Sequence, residues 1–205
     1  VVVNADDFYG RAAYEAVVEF LREPSATGPP AFALAGFRLS RTTSPSGPVN
    51  RAVCQVNAEG WLDSVVEVLN LTEDRHGSFV GEEHGRTRRY AGTDLVSMNM
   101  WGFTPAVFNP LREAFHAFLG GATRPSGEPP ADRGATGRGP QELEKREFPI
   151  PTAVQELIRT GKARVRVLPT KSQWTGITYP DDRPLVVAAI RKMVEKGEYP
   201  ETLWG

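Results

Sequence analysis

The chain alternates between short apolar runs typical of buried strands and longer runs with helical periodicity, and this alternation constrains its fold most. The apolar runs cover residues 1–3, 31–40, 95–103 and 163–169. The spacing of apolar residues predicts helices over 11–21, after Thr104, over 152–160 and over 184–196. In the last of these, the apolar side chains are expected to face inward. Such alternation is typical of an α/β fold with a mostly parallel sheet.

One antiparallel hairpin interrupts the alternation. Residues 49–57 alternate as a strand, residues 58–60 form a turn, and residues 61–71 resume a β-like pattern. Residues 72–92 are polar and rich in glycine and arginine, which fits either a loop or a short exposed hairpin. Residues 120–140 hold almost no large apolar side chain, so we interpret them as a flexible insertion in a single domain spanning 1–205.

Composition argues against several classes of partner. The formal net charge is −1 and the pI is near 6.4, whereas proteins that bind nucleic acids or anionic membranes are usually basic. No apolar run approaches the roughly 18 residues of a membrane span. A lone cysteine, Cys54, excludes an intramolecular disulfide and favours a reducing, cytoplasmic location. The three histidines lack the spacing of a zinc site.

Two adjacent acids, Asp6 and Asp7, follow the first apolar run in the stretch VNADDFYG. In open α/β sheets, ligands bind just beyond the carboxyl ends of the strands, where these acids are expected. Neighbouring carboxylates repel each other unless a cation offsets their charge, and Mg²⁺ prefers carboxylate and phosphate oxygens. The alternative is that Asp7 only caps the helix that begins near Arg11.

Four stretches, in this order, resemble sugar-phosphate nucleotidyltransferases. They are VNADDFYG, SVVEVLNL (64–71), LVSMNMWGFTPAVF (95–108) and VRVLPTKSQWTGITYPDDRPLVVAAI (165–190). The resemblance implies a glycosyltransferase-A-like, Rossmann-related fold, with a mostly parallel sheet and an inserted hairpin. It implies that a nucleoside triphosphate and a sugar 1-phosphate are joined with Mg²⁺, giving a nucleotide sugar and pyrophosphate. Positioning and charge neutralisation would drive such a transfer without a protein nucleophile.

The resemblance also assigns roles to individual residues. It implies that Asp6, or Asp7 if the match slips by one residue, is the catalytic Mg²⁺ ligand. Asn4 falls in the same metal-binding turn and is predicted to contact substrate. Glu67 matches a glutamate that binds sugar hydroxyls, although an outward-facing strand carboxylate explains it equally well. Asn99 matches a residue of the sugar pocket, with a buried amide bound to backbone as the alternative.

The C-terminal stretch offers two further candidates. Lys171 is placed to meet a phosphate, although a lysine in a loop is usually only solvated. The family often has an aspartate shortly after a tryptophan as second metal ligand, but here Gly176 follows Trp174 by two residues. Asp181 or Asp182 is the substitute, and we select Asp182. Both also precede Pro184 at a helix start, where capping is the ordinary role.

The N-terminal region departs from the family pattern more strongly than the C-terminal stretch does. The family opens with a strand and a glycine-rich loop that binds the triphosphate through backbone N–H groups. No such loop precedes Val1, so we expect an N-terminally truncated domain with an exposed sheet edge, in which residues 1–205 alone turn over slowly or not at all.

Two other functions remain open from the sequence. A catalytically inactive module that binds nucleotide sugars is the main alternative, and Gly176 favours it. A glycosyltransferase, which also holds a metal with paired acids, is the other. The nucleotide base, the sugar and the oligomeric state, including a homo-oligomer, are not determined by these patterns.

Overall fold

The computed structural model describes residues 1–23, 28–119, 147–177 and 179–202. Its helices are α1 (Arg11–Arg22), α2 (Phe108–Leu119), α3 (Ile150–Arg159) and α4 (Arg183–Glu195). Its strands are β1 (Ala31–Arg38), β2 (Val49–Val56), β3 (Leu62–Glu73), β4 (Phe79–Glu83), β5 (Arg86–Tyr90), β6 (Leu95–Gly102) and β7 (Arg164–Pro169). The four predicted helices and the 49–71 hairpin are confirmed. The predicted insertion at 120–140 lies outside the described residues.

The seven strands form one sheet in the order β5-β4-β3-β2-β6-β1-β7. Only β1 and β7 pair in parallel, and every other neighbouring pair of named strands is antiparallel. The prediction of a mostly parallel, Rossmann-related, glycosyltransferase-A-like sheet was therefore wrong. The short turns of the β2–β3 and β4–β5 hairpins require antiparallel pairing, because a parallel pair needs a long crossover. Residues 72–92 supply the second hairpin, which was one of the two alternatives.

The first apolar run does not form the buried strand that was predicted. Val2 makes a single antiparallel bridge to Trp101, and the Val1 and Val2 side chains are 52% and 39% exposed. Three consecutive valines favour extended backbone, but that preference does not supply a second paired neighbour.

Each face of the sheet carries an apolar core. The first core joins Ala13 and Val17 of α1 to β-strand residues such as Phe37, Val68 and Val96. The second joins Val154 and Leu157 of α3 to the other face. The sheet thus lies between α1 on one side and α3, with the Pro105–Val107 turn before α2, on the other. No residue of α4 is fully buried within the described structure. Of its apolar residues predicted to face inward, Leu185 and Ile190 are exposed, and the others are half-buried.

The sheet curls so that two of its distant strands meet. The strand order separates β3 from β7 by three strands, yet Trp61, just before β3, forms an antiparallel bridge with Arg166 of β7. The N–H of Val167 donates to the carbonyl of Gly60 at 3.0 Å. The tip of the β2–β3 hairpin therefore covers part of the outer edge of β7.

A glutamine side chain occupies part of the outer edge of β3. The N–H of Val65 donates to Oε1 of Gln155 at 3.2 Å, and Nε2 of Gln155 donates to the carbonyl of Asp63 at 3.0 Å. Gln155 belongs to α3, so these two bonds also attach that helix to the sheet.

Substituting Gly102 tests the packing of α1 on the sheet. A Cβ at Gly102 would stand 2.5 Å from Cγ1 of Val17, so G102A is expected to lower the free energy of unfolding by about 1–3 kcal/mol. The double variant G102A/V17A is expected to lose less than the sum of the single changes, because V17A removes the methyl group that the new Cβ would strike. Urea unfolding measures all four proteins, and strictly additive losses would contradict this packing.

The thiol of Cys54 offers a second test. Cys54 lies in the core beneath α3, and burial raises its pKa to about 12. At pH 8 only about one thiol in ten thousand is then ionised, so an aromatic disulfide reagent is expected to leave the native protein unmodified for hours. The same reagent in concentrated guanidinium chloride should modify the unfolded chain within minutes. Rapid modification of the native protein would contradict the burial of this residue.

Candidate functional site

Three segments that run in the same direction end at one edge of the sheet. Strand β1 runs parallel to β7 and antiparallel to β6, and Val2 also pairs antiparallel with β6, so residues 1–4 run parallel to β1. The turn 5–8 follows residues 1–4, the loop 39–42 follows β1, and the loop 170–176 follows β7. Phe8 and Thr175 bind each other through two backbone hydrogen bonds of 2.9 and 3.0 Å, which joins the first and last of them.

Asp7 is held in place by two polar side chains. Its Oδ2 accepts a hydrogen bond from Nδ2 of Asn4 at 3.0 Å and lies 3.1 Å from the hydroxyl of Tyr9. Its Oδ1 accepts no hydrogen bond from the described residues. The structure therefore brings together Asn4 and Asp7, two of the predicted site residues, and leaves one carboxylate oxygen for another ligand.

The hydroxyl of Tyr9 links this turn to the sheet. It accepts from the backbone N–H of Asn4 at 3.1 Å and lies 2.7 Å from the carbonyl oxygen of Met98. A phenol carries one proton, so it donates either to Met98 or to Asp7 at a given moment. Burial, and after it the charge of Asp7, raises the pKa of Tyr9, which keeps the hydroxyl protonated across the physiological range.

A bulge in β6 makes the Met98 carbonyl accessible. Leu34 pairs with Trp101 and Gly36 with Ser97, so three residues, 98–100, stand opposite the single residue Ala35. Asn99 has a φ of 60° at the centre of this bulge, a conformation that asparagine adopts more readily than most residues. The bulge interrupts the ladder, and Tyr9 takes the place of the missing strand partner.

Gly176 lies directly against the free oxygen of Asp7. A Cβ built at Gly176 would stand 2.8 Å from Oδ1 of Asp7 and 2.3 Å from Cζ2 of Trp174. Any side chain here would strike either the carboxylate or the indole ring. The residue that departs from the family pattern is thus the one that lets the 174–176 loop approach Asp7.

A buried arginine adds positive charge on the same face of the sheet. The guanidinium of Arg51 donates to the carbonyls of Thr42 and Asn50 and lies 5.0 Å from the ring centroid of Trp174. Burial lowers the pKa of Arg51 to about 10, while the charge of Asp7 acts in the opposite direction. Arg51 therefore stays charged at neutral pH and interacts electrostatically with Asp7.

The other predicted residues do not converge on Asp7. Asp6 is exposed and makes no hydrogen bond or ion pair with the described part of the chain. Asn99 is also exposed, and its backbone N–H donates to Oγ of Ser97 at 3.2 Å. The side chain of Glu67 is exposed as well, and it points away from the sheet face that carries Arg51, because its neighbour Val68 pairs with Arg51.

Lys171 and Asp182 lie elsewhere around this edge. The side chain of Lys171 is exposed in the loop after β7, and its carbonyl accepts a hydrogen bond from Arg41. Asp182 is buried, and its Oδ1 accepts from the hydroxyls of Ser44 and Ser46 at 2.8 Å each. Its Oδ2 accepts from the N–H of Tyr179, which caps the Pro180–Asp182 turn.

The donor set fits a cation that takes few protein ligands. No group of three or more histidine, cysteine, aspartate or glutamate side chains converges within the described residues. Mg²⁺ commonly binds one or two carboxylates and completes its shell with water and phosphate oxygens. Oδ1 of Asp7 and the exposed carboxylate of Asp6 suit that mode of binding, whereas a cage made entirely of protein ligands does not form among the residues described.

Sequence reasoning missed Tyr9 and Arg51. Tyr9 lies within the quoted stretch VNADDFYG, but its partner Met98 is 89 residues away. Arg51 stands at an inward position of an alternating strand, between the buried residues Val49 and Val53. A charged residue at such a position is rarely buried without a partner, and this was the available signal.

No family model matches this chain, and no curated protein matches it either. Among the described residues, every helix is too short or too polar to cross a membrane.

Replacing Tyr9 by phenylalanine tests how this turn is attached. Y9F leaves the N–H of Asn4 and the carbonyl of Met98 without their partner, so we expect the free energy of unfolding to fall by about 1–3 kcal/mol. Tyr14 is a matched control, because it is 40% exposed and its hydroxyl makes no hydrogen bond within the described structure. Y14F should change stability by less than about 0.5 kcal/mol. Equal stability of Y9F and wild type in urea would contradict the role of this hydroxyl.

Proposed function

We propose that this chain takes part in nucleotidyl transfer from a nucleoside triphosphate to a sugar 1-phosphate, giving a nucleotide sugar and pyrophosphate. The observation that carries the proposal is the carboxylate of Asp7. Asn4 and Tyr9 fix its Oδ2, while Oδ1 faces the 174–176 loop at the edge where three parallel segments end. The ordered resemblance of four stretches supplies the reaction class.

The residues present suit the charge changes of such a reaction. A sugar phosphate oxygen forms a bond to the α-phosphorus, and the bond to the departing pyrophosphate breaks. When bound, Mg²⁺ supplies positive charge to the phosphate oxygens. Asp7 would hold that ion, Asp6 adds a second carboxylate on the exposed side, and Asn4 keeps Asp7 oriented. The buried charge of Arg51 offsets part of the negative charge that accumulates nearby.

Asp7 is the better candidate of the two acids for direct coordination. Its carboxylate is oriented by Asn4 and by the neighbouring hydroxyl of Tyr9, so little side-chain entropy is lost when it binds an ion. Asp6 has no such partner among the described residues. We assign Lys171 and Asn99 to substrate contacts at the same edge. The proposed site does not use Glu67, whose side chain points away from the face of Arg51, or Asp182, whose carboxylate is engaged by Ser44, Ser46 and Tyr179.

A module that binds nucleotide sugars without turnover is the second candidate. Gly176 favours it, because a Cβ there would collide with Asp7 and Trp174, so no second acid can enter at this position. The lone thiol, Cys54, supports a cytoplasmic location for either function.

Substituting Asp7 tests the proposal through metal-dependent stability. Wild-type protein is expected to gain thermal stability when Mg²⁺ and a nucleoside triphosphate are added together, because a ligand that binds only the folded state stabilises it. D7N keeps the shape of the side chain and its acceptor oxygen but removes the charge, so we expect the Mg²⁺ affinity to fall tenfold or more. Isothermal titration and thermal shift measure both effects.

Two controls separate the possible outcomes. Asp181 is exposed beside Asp182, and D181N should bind Mg²⁺ and nucleotide as wild type does. D6N should weaken binding less than D7N. Pyrophosphate release from the triphosphate in the presence of sugar 1-phosphate would identify the transferase, since a binding module does not release it. Metal-dependent stabilisation that survives in both D6N and D7N would contradict the assigned site.

A further inference from the structure

A cleft lies beside the C-terminal half of α1, whereas Asp7 precedes the N-terminus of that helix. The cleft has a volume of about 530 Å³, within the range of small-molecule sites. One wall is the C-terminal half of α1, with Phe20 and Leu21, and the other is β7, with Arg164 and Arg166. Trp61 from the hairpin tip completes the lining. Asp7 precedes α1, whereas Phe20 and Leu21 lie in its last turn, so the cleft is separate from the proposed transfer site.

Arg164 is the unusual member of this lining. Its guanidinium lies over the ring of Trp61, 4.2 Å from the ring centroid, which restrains the group. The guanidinium makes no hydrogen bond or ion pair with any described residue, and its Nε is buried without a partner. A planar guanidinium has five N–H donors, and leaving a buried donor without an acceptor is costly.

Arg166 extends the same positive surface. It lies two residues along β7, so both arginines project from the same face of the strand. Its guanidinium donates to the carbonyl of Glu59 and lies 5.3 Å from the Trp61 ring centroid. Arg166 is thus partly satisfied by backbone, whereas Arg164 is not.

Two acids at the C-terminal end of the facing helix limit the charge of a ligand. Glu19 and Glu23 also line the cleft, yet neither forms an ion pair with Arg164 or Arg166 in the described structure. Their charges disfavour a polyphosphate, which would bring several negative charges close to them. Their oxygens can instead accept hydrogen bonds from ligand hydroxyl groups.

We propose that this cleft binds a small hydroxylated molecule with a single oxyanion group. The guanidinium of Arg164, stacked on Trp61, holds the oxyanion through paired N–H donors. The acids at the end of α1 accept hydrogen bonds from the hydroxyl groups, and Phe20, Leu21 and Leu168 pack against the carbon skeleton. A carboxylate and a phosphate monoester share this chemistry, and the test distinguishes them.

Binding is measured by isothermal titration and thermal shift in buffer with EDTA, which removes divalent metal. The probes are glycerate, glycerol 3-phosphate and, as the uncharged comparison, glycerol. We expect at least one anion to bind and raise the melting temperature, and glycerol to have no effect. The anion that binds more tightly shows whether the cleft prefers a carboxylate or a phosphate monoester. If neither anion binds at tens of millimolar, the proposal is overturned.

Variants locate the binding. R164M keeps an apolar side chain against Trp61 and is expected to lower the affinity for the anion tenfold or more. The matched control is R86M, on the exposed edge strand β5 at the other end of the sheet, which should bind as wild type does. D7N should also bind normally, because this site is independent of the proposed transfer function. Binding that is lost in D7N or R86M but kept in R164M would contradict the assignment.

Two further variants guard against misfolding of R164M. R164K keeps the charge but loses the planar fork of donors, so it should bind more weakly than wild type while remaining folded by circular dichroism. R166M removes the neighbouring charge and should also lower the affinity for the anion. Wild-type affinity in both folded variants would exclude this cleft as the binding site.

Discussion

The hydrogen bond between the hydroxyl of Tyr9 and the carbonyl of Met98 determines where the acidic turn lies. Residues 1–4 pair with the sheet through a single bridge at Val2, and the turn that follows is otherwise attached by the backbone pair of Phe8 with Thr175. The carbonyl is accessible only because β6 bulges around Asn99 and leaves the regular ladder. A local irregularity of one strand thereby positions a carboxylate that belongs to a distant part of the chain. The φ of Asn99 and the orientation of Asp7 are parts of the same arrangement.

Charge balance bears on the proposal that this edge takes phosphate together with a cation. Arg51 is buried, and the cost of removing its charge from water is offset by the carbonyls of Thr42 and Asn50 and by the ring of Trp174. Asp7 lies close enough to act on its pKa. In the proposed site, Arg51 offsets part of the charge of Asp7, and a metal ion would offset the charge of an arriving polyphosphate.

Structural features that depend on residues close together in the sequence could be predicted, whereas features that depend on residues far apart could not. The period of apolar residues located α1 and α3 within two residues of their ends, because helices depend on contacts three and four positions apart. Strand direction was misjudged, since an apolar run shows that a strand is buried but not which way its neighbours run. β6, inserted antiparallel between β1 and β2, is the clearest example.

The same contrast between local and long-range contacts applies to the candidate site. The resemblance placed a second metal ligand in the C-terminal stretch, but the acid selected there, Asp182, is engaged by Ser44, Ser46 and Tyr179. The contacts of Tyr9 with Met98 and of Arg51 with Trp174 join residues far apart in the chain, and no local pattern indicates them. Gly176 was interpreted as a lost ligand. Its role in admitting the loop beside Asp7 depends on a close approach that only coordinates reveal.

The side chain of Gln155 has a consequence beyond attaching α3. Its amide offers one acceptor and one donor at the spacing of a peptide group, and it uses them on the N–H of Val65 and the carbonyl of Asp63. The outer margin of β3 is therefore closed at the point where another polypeptide would otherwise add as an extra strand. A single primary amide thus occupies hydrogen-bonding positions that an added strand would need.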